Sequence, residues 1–186
     1  REFEDEVRLA EVINGVVEAS ADALAGKDLT VEVNIPEDLP PLTVNRAKFE
    51  RLFELFVRDE VVSLSAGGTI RIDAAVETQD EGGWVRVVIE DETARIPEEG
   101  LRRLFDPFFA RSDDPKEYGI NLMICYFIVY HHGGRVDVQS RDGGGVTFAL
   151  RFPVGMPPES GVRDDEEFIA KVVANEKLWD RLLSGI

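Results

Sequence analysis

Residues 46–63 place Phe49, Leu52, Phe53, Phe56 and Val57 at the spacing of one helix face, and Asn45 stands where a side-chain oxygen caps a helix start. A stripe of that size cannot be buried by the helix alone, so the fold must supply a second apolar layer. The neighbouring runs provide it. Leu29–Ile35 alternates apolar and polar residues, as a strand with one buried face does. Thr69–Val76 and Trp84–Ile89 read as two strands joined by the turn-prone residues 79–83, and Arg135–Gln139 and Val146–Phe152 flank the glycine turn at 142–145. A helical period also covers Leu9–Leu24, with Gly26 at its end, and the apolar segment Asn121–His131 precedes Gly133 at a C-cap position. Pro36 and the Pro40–Pro41 pair interrupt the chain, and Pro97 opens a short helix. Few strands with helices between them make a two-layer α/β fold with a mixed sheet.

The chain has 186 residues, enough for one domain with a full core. It has 37 acidic against 21 basic side chains, a net charge of -16 that repels phosphate backbones and anionic lipid, so a nucleic-acid partner is not expected. No run approaches the ~18 apolar residues of a membrane-spanning helix, so no membrane embedding is expected. The acidic start, Arg1 to Glu6, lacks the apolar core of a signal peptide and an initiator Met, and reads as part of a longer chain. The single cysteine, Cys125, excludes an internal disulfide and fits the cytoplasm. It sits among Ile124, Tyr126, Phe127 and Ile128, as a buried inert thiol does. His131 and His132 are adjacent and precede two glycines, which reads as a helix end and not as a metal or phosphoacceptor pair.

Residues 1–154 form the expected core domain and residues 155–164, with Pro157–Pro158, a linker. A C-terminal amphipathic helix follows over 165–186. Asp164, Asp165, Glu166 and Glu167 stand at its start, where the helix dipole favours negative charge, and Phe168, Val172, Trp179 and Leu182 form its apolar stripe. That stripe docks either on its own domain or in a partner's groove.

Four segments in order carry a family resemblance. They are Ala66–Gly67–Gly68–Thr69, Ile96–Pro97–Glu98–Glu99, the aromatic knot Phe105–Asp106–Pro107–Phe108–Phe109, and His132–Gly133–Gly134–Arg135. Together they resemble the catalytic, ATP-binding domain of histidine kinases, in the wider family of gyrase, Hsp90 and MutL. The resemblance spans about Leu9 to Val154. It implies a Bergerat-type fold: a mixed, mostly antiparallel sheet, helices on one face, and nucleotide held between a helix and a mobile lid.

The resemblance also assigns the site. The family's metal-holding asparagine falls on Asp59, either a hard oxygen ligand for Mg²⁺ or a solvated helix residue. The small residue after it is Glu60. One turn earlier stands Leu55 with Glu54 beside it, so Glu54 and Asp59 are the candidate catalytic carboxylates. The adenine box D-x-G-x-G reads Asp91–Glu92–Thr93–Ala94–Arg95: the aspartate persists, and both glycines, which leave room for the ligand, are replaced. Arg95 is placed to pair with Asp91 and fill the pocket. The phosphate box reads Glu117–Tyr118–Gly119–Ile120–Asn121–Leu122, with Gly119 kept and Glu117 adding negative charge where phosphate belongs. Lys116 is the nearby cation, either on a phosphate or facing water. The packing and turning motifs persist while those that accommodate base and phosphate are lost.

The expectation is a degenerate domain acting as a pseudokinase or protein-binding module in a phosphorelay, with no cofactor, or Mg-ATP if the pocket still works. Its partners would be a receiver domain or the helices of a kinase or phosphotransfer protein, with homodimerisation through a preceding region. The alternatives are an active, divergent ATP-binding domain that phosphorylates a histidine on a partner domain, and an anti-sigma-like or scaffold protein on the same fold.

Overall fold

The computed structural model describes residues 5–79, 82–92 and 120–155. The short helix after Pro97, the aromatic knot, Arg95, Lys116, Gly119 and the C-terminal stripe Phe168, Val172, Trp179 and Leu182 all lie outside those residues.

The first helical period is not one helix. The chain forms α1 (Leu9–Ala19) and α2 (Ala21–Gly26), broken at Ser20, whose N–H donates to both Val16 and Val17 carbonyls. Leu24 of α2 is buried in the core. Gly26 is the last helical residue; the left-handed turn falls on Asp28, with φ of 54°, a conformation aspartate tolerates. Two three-residue strands escaped the sequence reading. They are β1 (Asp5–Val7) and β3 (Leu42–Val44), paired antiparallel, and each is too short to display a period.

Helix α3 spans Arg46–Ser63, and Asn45 Oδ1 caps it by accepting from the Lys48 N–H at 3.0 Å. Its last carbonyls have no basic residue in the final turn. Lys27, beyond α2, reaches across to donate to the Val61 and Val62 carbonyls at 2.6 and 3.1 Å.

The main sheet runs β2 (Thr30–Asn34), β4 (Thr69–Gln79), β5 (Gly82–Glu90), β7 (Val146–Pro153), β6 (Arg135–Ser140). The β2–β4 pair is parallel and the other three are antiparallel, as a mixed, mostly antiparallel sheet requires. Alternation puts Ile70, Ile72, Val85, Val87, Ile89, Phe148, Leu150 and Phe152 inward. There they meet α1, α3 and α4 (Ile120–His131). Phe49 of α3 meets Phe53 and Phe152 edge to face, with centroids 5.2 and 5.1 Å apart, and Phe56 meets Phe148 in the same way at 5.3 Å.

The end of α4 is a Schellman turn. Gly133 has φ of 69° and its N–H donates to the Tyr130 carbonyl, while the Gly134 N–H donates to that of Val129. His132, 1% exposed, closes the junction: Nδ1 lies 2.7 Å from the Ile128 carbonyl and Nε2 accepts from the Asn45 N–H at 3.2 Å. This arrangement requires a neutral ring with the proton on Nδ1. Burial, chiefly, lowers its pKa from 6.5, with Lys48 and His131 adding to the effect. The folded protein therefore resists a proton that the unfolded chain accepts. Stability from this group is full above pH 6.5 and is lost as pH falls through the lowered folded value. Urea unfolding from pH 8 to pH 5 is expected to give a falling stability with a slope of at most about 1.4 kcal/mol per pH unit from this site. The His132→Gln variant should lose that component.

Candidate functional site

Asp91 follows β5 and is 0% exposed. Its N–H donates to the Val146 carbonyl at 3.0 Å, continuing the β5–β7 ladder. The return bond is unusual. The Val146 N–H donates to the side-chain Oδ1 of Asp91, also at 3.0 Å, so a carboxylate oxygen substitutes for the backbone acceptor. The Asp91 carbonyl accepts instead from Arg141 Nη1 at 3.1 Å, and Arg141 Nη2 stands 4.0 Å from Glu90. Gly145 makes the approach feasible: a Cβ there would lie 2.1 Å from the Asp91 carbonyl oxygen. Glu92 is fastened too, accepting from the Thr69 N–H at 3.2 Å and lying 3.7 Å from Arg71.

Asp59, near the end of α3, is 7% exposed, so the reading of it as a solvated helix residue is corrected. It sits close enough to Cys125 of α4 to raise the thiol's pKa further, after burial itself, against an opposing influence of Arg51. Cys125 donates to the Leu52 carbonyl at 3.5 Å and is inert. Glu60 is 1% exposed and faces the other way, onto a small cavity of about 10 Å³ lined by Ile13, Val16, Phe53 and Ile70 among others. A space of that size takes roughly one water and no ligand. Glu54 lies on the solvent side, 48% exposed and paired with Arg51 at 3.0 Å. Glu54 and Asp59 therefore do not share a face. Leu55, by contrast, is 1% exposed and packed.

Among the described residues no group of three His, Cys, Asp or Glu side chains is placed to hold a metal. Asp59 remains a single carboxylate, which is how Mg²⁺ is commonly held when substrate phosphates supply other ligands. The adenine half fits less well. An exocyclic amino group has to reach the Asp91 carboxylate, and that group is sealed, with one oxygen engaged by Val146. Sequence reasoning named Asp91 and missed its clasp, Arg141, Gly145 and Val146. The run Gly143–Gly144–Gly145 was the available signal.

The model of the histidine kinase-, DNA gyrase B-, and HSP90-like ATPase family matches residues 4–156. The chain belongs to this ATPase family. The adaptive-response sensory kinase SasA of Synechococcus sp. (strain JA-2-3B'a(2-13)) is 30% identical over 151 residues, covering 80% of this chain and 39% of that protein. The alginate biosynthesis sensor protein KinB of Pseudomonas aeruginosa is 29% identical over 126 residues, covering 68% of this chain and 20% of KinB. The chain thus spans well under half the length of either relative. In structure it is similar to the nucleotide-free catalytic domain of histidine kinase ThkA, with a TM-score of 0.69, 25% identity, and 82% and 96% of the two chains covered. The mycobacterial sensor histidine kinase MprB has the same fold, with a TM-score of 0.67, 22% identity, and 83% and 99% covered. These ATPase-family likenesses bear out the fold expected from the four sequence segments. No helix among the described residues is long and apolar enough to cross a membrane.

Proposed function

We propose that this chain is the ATPase-type domain of a sensor histidine kinase system whose nucleotide site is impaired, and that it works as a pseudokinase holding a signalling partner. The observation that carries the reading is the burial of Asp91: the one surviving recognition group for adenine is fully enclosed and serves as a strand-ladder acceptor. Buried Asp59, where the family carries an amide, puts a carboxylate on the helix that should face a triphosphate, and Glu60 follows it where the family carries a small residue. Phosphoryl transfer rests on positioning and charge neutralisation, and both are weakened by these replacements. The partner proposed is a receiver domain or a kinase helix pair; histidine kinase ThkA has been solved with response regulator protein TrrA.

The second reading is an active, divergent domain, with Asp59 toward Mg²⁺ and Asp91 toward adenine. The sensor kinases SasA and KinB favour it. Thermal unfolding with and without millimolar Mg-ATP separates the two. A functional site at a hundredfold excess over Kd gains about 2.7 kcal/mol and a clear rise in Tm. The pseudokinase reading expects no rise, and a rise that vanishes in Asp59→Ala would overturn it.

A further inference from the structure

The sheet face turned away from the helices is charged, and three of its arginines fall in one register row, with Arg71 of β4 apart from them opposite Glu90. Arg86 on β5 lies opposite Arg151 on β7, which lies opposite Arg135 on β6. Like charges directly opposed repel and need offsetting partners. Glu77 from β4 supplies one, 3.4 Å from Arg86 and 2.9 Å from Arg151, and Asp137 pairs with Arg151 as well. Arg135 is different. Its guanidinium stands 5.6 Å from the centre of the Trp84 ring, and among the described residues no carboxylate pairs with it. The corner therefore holds three arginines against two carboxylates, in a chain whose net charge is -16.

The chain leaves the sheet at this corner. Pro153 pairs with Trp84 two register pairs beyond Arg151, the next position on the same face, and the Val154 N–H donates to the Gly83 carbonyl at 2.8 Å. Val76, 50% exposed, and Val154, 37% exposed, are the exposed large hydrophobic residues among the described ones, and both lie at this end of the sheet. The next acidic run, Asp164, Asp165, Glu166 and Glu167, follows Gly155 by nine residues. Nine residues reach up to roughly 30 Å. The arginine row lies at most about 10 Å from Pro153, two residue pairs along and no more than one strand across. A tethered segment meets the corner at an effective concentration on the order of millimolar. A second copy of the chain must first overcome the repulsion of two strongly negative molecules.

We propose that the acidic run Asp164–Glu167 folds back onto the Trp84–Arg135–Arg151 corner of the sheet, its carboxylates on Arg135 and its neighbours, as a strap that ionic strength loosens. The inference is independent of whether the nucleotide site works.

The test uses the full chain carrying S160C with a nitroxide label; Cys125 is buried and stays unlabelled. At low salt the label should broaden the amide signals of Trp84, Arg135 and Arg151 and leave those of α1 sharp. The broadening should be lost in D164N/D165N/E166Q/E167Q, in R135E, and near 1 M salt, where screening acts within about 3 Å. Unchanged broadening in the acid-to-amide variant, or no broadening at all, overturns the proposal. So does broadening that appears only on mixing labelled chains with separate ¹⁵N chains, which would assign the corner to a second copy.

Discussion

Gly145→Ala is expected to remove a large part of the protein's margin of stability, on the order of 3 kcal/mol or more against a typical total of about 5–15 kcal/mol. Two costs combine there. Gly145 has φ of 96°, which an L side chain adopts only under strain of roughly 1–3 kcal/mol. Its Cβ would also lie 2.1 Å from the Asp91 carbonyl oxygen and 3.1 Å from the carbonyl carbon, both backbone atoms that cannot rotate away. Relief requires the β6–β7 turn to retreat, which breaks the Arg141 and Val146 bonds to Asp91. Gly143 is the internal control. Its φ is 91° but a Cβ there meets nothing within 4 Å, so Gly143→Ala carries the conformational strain alone. Urea unfolding of the two variants gives the steric part by difference. Equal losses would show that the close approach at Asp91 contributes nothing.

The second large effect is at Phe49, 0% exposed at the meeting of α3, α4 and β7. Truncation to Ala should cost about 3–5 kcal/mol, since its ring packs edge to face on Phe53 and Phe152 and the cavity cannot close around a helix start held by Asn45. Phe49 also lies 5.9 Å, centre to centre, from the His132 ring and helps keep it dry. In Phe49→Ala the His132 pKa should therefore climb back toward 6.5, readable in an NMR titration of the imidazole. Phe49→Leu, which keeps most of the volume, should show a much smaller change in both measurements. A full loss of stability with an unmoved His132 titration would separate packing from solvent exclusion at this junction.

The elements that could be read in advance were those with a repeated period or a local cap. Helix α3 shows five apolar positions on one face and an Asn45 cap, and both lie where the pattern put them. Strands β4, β5 and β7 alternate over enough residues to reveal their inner face. Gly133 follows from local geometry, because a helix ends most cheaply on a residue free to take positive φ. The ribbon of β1 and β3 was illegible, since three residues display no period and their pairing joins positions far apart in the chain. The break at Ser20 was equally hidden: α1 and α2 continue one period, and only the Ser20 backbone, at φ -94° and ψ 4°, separates them.

At the site, residue identity was legible and environment was not. The chain by itself determined that an aspartate stands at 59 and at 91, that a glutamate follows at 60, and that glycines at 93 and 95 are replaced. Tertiary structure alone decided that Asp91 lends Oδ1 to the Val146 N–H, that Asp59 is buried beside α4, and that Glu54 points to water. The physical reason is common to all three. Composition and spacing encode which groups can bond, whereas desolvation and partner choice depend on atoms brought together from distant parts of the chain, such as Asp91 and Val146.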